Sequence, residues 1–140
     1  DDLKGWELLG ASLMALGRAE EAQTAFLEAV KLSGRDGDYL AMYAESVIRA
    51  DNGQINAIAR GALTEAAQTE SIDPRIQYYL GLGDIQDGNY PAAIDRGSSL
   101  PTTHRPMRDG FQWWYRAYKM PHWRKALKLK GDFMSNHLPR

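Results

Sequence analysis

Cysteine is absent from all 140 residues. That excludes disulfides, thiolate nucleophiles and cysteine-ligated zinc, and leaves the compartment open. No run of 18 apolar residues occurs, so the sequence predicts no membrane-spanning helix. Histidine is scarce: His104, His122 and His137 are far apart, with no HExxH and no i, i+4 pair, so no metal site is expected. Gly81-Leu82-Gly83 lacks the third glycine and the preceding strand of a dinucleotide-binding turn. Ser12, Ser46 and Ser71 lack the flanks of a nucleophile elbow. Acid pairs such as Glu20/Glu21 and Asp84/Asp87 read as solvated or helix-terminal charge rather than as acid–base machinery. These gaps point to a chain with no catalytic residues, no metal and no cofactor.

With 44% hydrophobic and 25% charged residues, the composition is that of one soluble globular domain. The net charge of −1 hides an asymmetry. Residues 1–100 hold 8 Lys and Arg against 16 Asp and Glu, a net −8. Residues 101–140 hold 9 against 2, a net +7, with all three histidines and three of the four tryptophans. A boundary is therefore expected near Pro101, between a body (1–100) and a basic, aromatic extension (101–140).

The body is organised around Trp6 to Leu32. Trp6, Leu9 and Leu13 lie at i, i+3 and i+7, one stripe of a first helix. Gly10, Ala22 and Ala29 are small where two helices must meet closely, Phe26 is a large knob on the second helix, and Gly17 suits a turn. Together these residues carry the W-x2-L-G opening and small/large spacing of a tetratricopeptide repeat, a helix–turn–helix unit of about 34 residues. A generic amphipathic hairpin would supply the stripe but not this ordered set. Helices are expected over Leu3–Leu16 and Ala19–Leu32, with Trp6, Leu9 and Leu13 facing the partner helix.

Two imperfect copies follow. Leu40, Tyr43, Ala44 and Val47 take the places of Trp6, Leu9, Gly10 and Leu13. A turn at Asp51-Asn52-Gly53 leads to a return helix expected to be long, from Ile55 to about Ser71, with Ile58, Ala59, Ala62, Leu63, Ala66 and Ala67 on one face. Asp73-Pro74 opens the third copy, since Pro is tolerated in a first helical turn. Leu80-Gly81 matches Leu9-Gly10, and Ala93 matches Ala22. Gly97 stands where the large knob should be, and the pattern does not resume. The expected fold is all-α: an α-solenoid of three helix–turn–helix repeats, at about 3–36, 38–72 and 74–100, with a C-terminal helical extension.

Stacked pairs line a concave face with their first helices. The stripe opposite Trp6, Leu9 and Leu13 is Lys4, Glu7, Ala11 and Met14. Its equivalents are Asp38, Ala41, Glu45, Ile48 and Arg49, then Arg75, Tyr78, Leu82, Ile85 and Gln86. If Met14, Ile48, Tyr78, Leu82 and Ile85 are exposed among these charges, the groove suits an amphipathic helix of a protein or peptide client. The plain alternative is that neighbouring repeats cover some of them.

In the extension, Phe111, Trp114, Tyr115 and Tyr118 form an aromatic stripe at helical spacing, followed by Trp123, Ala126, Leu127 and Lys130. Three readings stand: a cap on the open end of the acidic solenoid that fills the space at Gly97, a partner or nucleic-acid surface, or a tail unrelated to the body. Protein binding is the leading expectation; nucleic-acid binding by the tail, or a scaffold role in some other complex, is the alternative.

Four motifs point to a narrower family: Leu3 to Gly10, Ala15 to Ala22, Tyr43 to Glu45, and Tyr79 to Asp84 through Gly88 to Ile94. Over roughly residues 3–96 the chain resembles the periplasmic domains of the CcmI (CycH) family of cytochrome c maturation factors. That resemblance implies a non-enzymatic chaperone that holds apocytochrome c, largely by its C-terminal helix, and passes it to the maturation complex. It also implies a periplasmic domain tethered to the inner membrane by a segment outside this chain, in keeping with a chain that begins at Asp1. Gly97 departs from the bulky aromatic usual in the family, and Trp113 to Arg140 match nothing in it.

Overall fold

The structure, a computed structural model, describes residues 2–98. They form α1 (Asp2–Ala15), α2 (Ala19–Leu32), α3 (Gly37–Ala50), α4 (Ala57–Ala67), α5 (Pro74–Gln86) and α6 (Tyr90–Ser98), with no strand among them. Each helix packs on the next, and α3 also meets α5. The result is three helical pairs stacked in chain order. No helix among the described residues is long and apolar enough to cross a membrane.

The first pair closes as its small residues predict. A Cβ on Gly10 would lie 2.6 Å from Cε1 of Phe26, so only glycine lets the ring lie against α1. Phe26 is 4% exposed, and Ala22 and Ala29 are fully buried beside it. Gly17 turns the chain between the helices at φ +75°, a conformation that costs glycine nothing.

Side-chain caps set several helix starts. Asp36 accepts from the Asp38 N–H at 2.8 Å and Asp73 from the Arg75 N–H at 2.9 Å, each satisfying a donor that the first helical turn leaves open. Asn56 does the same for Ala59 N–H at 2.9 Å. That cap corrects the expected long return helix. The second helix of the middle pair is only Ala57–Ala67, not Ile55 to Ser71. At its end the Thr69 hydroxyl donates to the Ala66 carbonyl at 2.6 Å, and the Ser71 N–H donates to Thr69 Oγ1. Side chains that bond their own backbone favour loop over helix, so the extra length of the middle repeat is connector. Ile58, expected on the packed face, is exposed.

The core runs through the middle of the stack. Leu40 and Leu63, with Val30, are its largest fully buried apolar side chains, joined by Ile76, Leu80 and Leu82. Asp84 is a second correction: it is 7% exposed rather than solvated. Arg96 Nε donates to its Oδ2 at 2.7 Å, and Arg60 lies 3.7 Å from its Oδ1. Arg60 also pairs with Asp87 at 2.7 Å, so α4, α5 and α6 are tied by one charge network. Leu9 is a third correction. It is 46% exposed rather than packed on α2. The surroundings of Gly97, and the whole extension from 101 to 140, lie outside the described residues.

Candidate functional site

A cleft of about 240 Å³ opens on the first-helix side of the stack. α1 contributes Glu7, Ala11 and Met14; α3 contributes Met42, Glu45 and Arg49; α5 contributes Arg75; and Phe26 reaches it from α2. Phe26 can do so because Gly10 puts no side chain in its way. Ala11, Met14, Phe26 and Met42 make an apolar lining, and the charges come from Glu7, Glu45, Arg49 and Arg75.

Those charges are held in place. Glu45 sits between two guanidinium groups: Arg75 Nη1 donates to its Oε2 at 3.0 Å and Arg49 Nη2 to its Oε1 at 3.2 Å. Arg75 also grips Asp73, with Nη2 to Oδ2 at 2.6 Å and Nε to Oδ1 at 3.0 Å. Burial works against the Arg75 charge, but the hydrogen bonds and attraction of Asp73 and Glu45 outweigh it and hold its pKa above the usual value. On the opposite wall, Tyr39 Oη donates to Glu7 Oε2 at 2.9 Å, bridging α3 and α1, and Lys4 lies 3.5 Å from Glu7 Oε1. The hydrogen bond to Glu7, with burial, raises the Tyr39 pKa. Beside Arg75, burial and the nearby Glu45 charge push Tyr78 up to about 12. Tyr79, packed edge-on to it with ring centroids 5.6 Å apart, is also raised by burial and Glu45.

Six of the residues expected to line the groove thus meet in one place: Glu7, Ala11, Met14, Glu45, Arg49 and Arg75. Others do not join them. Ala41, Ile48, Leu82 and Ile85 belong to the core, with exposures from 0% to 4%, and so are not available to a client in this structure. The reason is that α3 is packed by α2, α4 and α5, and α5 by α3, α4 and α6. Less of each circumference remains in water than for α1, and the open stripe of α3 is turned toward Met42 and Glu45. Asp38 is exposed and accepts from the Ser71 hydroxyl. Gln86 is exposed, yet its amide ties a connector, accepting from Ile55 N–H and donating to Gly53 O, each at 2.8 Å. Tyr78 is half-buried against the core, and Lys4 stands at the rim through Glu7. Sequence reasoning missed Phe26 and Met42. Met42, Glu45 and Arg49 at i, i+3 and i+7 were the available signal.

The arrangement can grip an amphipathic segment. Two methionines and an aromatic ring give a lining that adapts to apolar side chains, and fixed charges of both signs flank it. Among the described residues no group of three or more His, Asp and Glu is placed to hold a metal.

Three stacked helical pairs in a tetratricopeptide register, with a cleft on their first-helix side, define a tetratricopeptide-repeat domain. Within that class the chain belongs to the family of the cytochrome c-type biogenesis protein H TPR domain, whose family model matches residues 1–102. It is 34% identical over 93 residues to the cytochrome c-type biogenesis protein CycH of Rhizobium meliloti, covering 66% of this chain and 24% of that protein. It is 31% identical over 93 residues to the Escherichia coli protein CcmH, covering 66% and 27%. Against the Pseudomonas aeruginosa CycH it is 26% identical over 115 residues, covering 80% and 28%. The chain therefore spans about a quarter of the length of these relatives. No solved structure matches it significantly.

Proposed function

We propose that this domain is a protein-binding module of cytochrome c maturation, which takes a helical segment of apocytochrome c in the cleft between α1, α3 and α5. The observation that carries the binding reading is the cleft itself, an apolar lining of Ala11, Met14, Phe26 and Met42 framed by tethered charges. An amphipathic helix lays its apolar side chains into such a groove and leaves its polar face in water. The relatives' names, all cytochrome c-type biogenesis proteins, support the biological setting. Acting there, the domain would work without catalysis, at the periplasmic face of the inner membrane, beside the other maturation proteins.

The test is calorimetric titration of the 140-residue chain with peptides of apocytochrome C-terminal helices. Saturable binding is expected. Met14→Glu and Met42→Glu should each weaken it by about tenfold or more, by placing a charge in the apolar lining, with unchanged helical circular dichroism. Affinity that neither substitution alters removes the cleft as the site. No binding to any apocytochrome peptide, with binding to helices of other proteins, removes the client.

A further inference from the structure

One flank of α1 has no partner within the described residues. Gly5, Leu8, Leu9, Ser12, Ala15 and Leu16 are all exposed, with Leu8 at 58%, Leu9 at 46% and Leu16 at 69%. None carries a charge; the only charges on the helix are Asp2, Lys4 and Glu7, on other stripes. A helix apolar on every side is a helix that is covered on every side, yet α1 packs chiefly on α2. Gly5 adds a separate indication. A Cβ there would meet nothing within 4 Å, so the molecule's own packing gives no reason for a glycine in mid-helix, where it costs about 1 kcal/mol against alanine.

The repeat itself shows what such a flank receives. Aligning Gly10 with Gly81 places Gly5, Leu8, Leu9 and Ser12 on Ile76, Tyr79, Leu80 and Gly83. In α5 this flank is closed: Ile76 is 2%, Tyr79 7% and Leu80 3% exposed. A Cβ on Gly83 would fall 2.7 Å from Arg60 Nη2 of α4. In α3 the residue equivalent to Ser12 is Ser46, which is fully buried. The coverings are α4 and α2, the second helices of the preceding pairs.

We propose that the outer flank of α1 is a docking surface for one further α-helix of the second-helix kind. Its contact face would carry Ala and Leu at i, i+3, i+4 and i+7 and no charge, as α4 does with Ala59, Ala62, Leu63 and Ala66. The face is distinct from the cleft stripe of Glu7, Ala11 and Met14, so the two sites succeed or fail separately.

The test supplies such a helix. A copy of residues 54–71 is fused ahead of Asp1 in the full chain, so that Asp1-Asp2 follows it as Ile72-Asp73 follows the original. The tether gives a high effective concentration. Leu9→Cys provides a unique thiol, because the chain has no cysteine. With the added helix, the melting temperature should rise and the thiol should be alkylated about tenfold more slowly. Gly5→Glu should cancel both effects. Unchanged melting and alkylation overturn the proposal. So does protection that Gly5→Glu leaves intact, or protection of the unfused chain that grows with its own concentration, which would make a second copy the occupant.

Discussion

At the scale of single residues, two glycines carry unequal roles. Gly10 is required by Phe26, whose ring occupies the space of its missing side chain. Gly10→Ala would gain helix propensity but overpack the first pair. A net loss of about 1–2 kcal/mol is expected, read as a lower urea midpoint, and no change would show that the ring moves aside freely. Gly5 has open space instead, so Gly5→Ala should stabilise the isolated chain by up to about 1 kcal/mol. Phe26 lines the cleft and fills the core at once. Phe26→Ala should therefore cost about 3–5 kcal/mol and weaken client binding together, whereas Met42→Ala should act more on binding than on folding. Chemical denaturation and titration on the same variants separate the two.

At the scale of the element, α5 is the most constrained helix. It begins at the Asp73 cap, places Arg75 against Glu45 of α3, buries Tyr79 and Leu80, and holds Asp84 between Arg60 and Arg96. Its tyrosines make a pH prediction with a definite sign. Burial holds Tyr78 and Tyr79 neutral in the folded chain, with Tyr78 shifted from 10.0 to about 12. A group whose folded pKa is raised contributes stability fully below its unfolded value and loses it as pH rises through the folded value. Thermal stability should thus hold to about pH 10 and fall between pH 10 and 12. Tyrosinate absorbance should appear late in the folded state; a Tyr78→Phe, Tyr79→Phe double variant should flatten the fall. An unaltered alkaline limit in that variant would place its cause elsewhere. α4 depends on one cap: Asn56→Ala should cost about 1 kcal/mol, seen as a reduced melting temperature.

At the scale of the whole molecule, stability should grade along the stack, because each pair contacts only its neighbours. α3 is packed by α2, α4 and α5, whereas α1 packs chiefly on α2. Amide hydrogen exchange should therefore be fastest in α1 and slowest in α3 and α5. Equal protection throughout would mean that the described residues open as one unit. The cleft spans this gradient, with one wall on mobile-prone α1 and the other on α3 and α5. A client joining Glu7 and Met14 to Glu45 and Arg75 should slow exchange mainly in α1.

Periodicity and residue size were enough to determine the helical pairs, their turns and their order, because these depend on contacts between residues a few positions apart. Trp6 to Leu32 carried the frame, and Ala19–Leu32 formed as a helix within the expected bounds. Six lining residues of the cleft were legible for the same reason: the stripe opposite a packed face is a property of one helix. What tertiary structure alone decided was how far each helix turns as the stack winds. That rotation buried Ala41, Ile48, Leu82 and Ile85, brought Met42 and Phe26 to the cleft, drew Asp84 inside with its two arginines, and left Leu9 open. Exposure belongs to neighbouring helices that local spacing does not encode, and α1, with a flank uncovered, shows that dependence most directly.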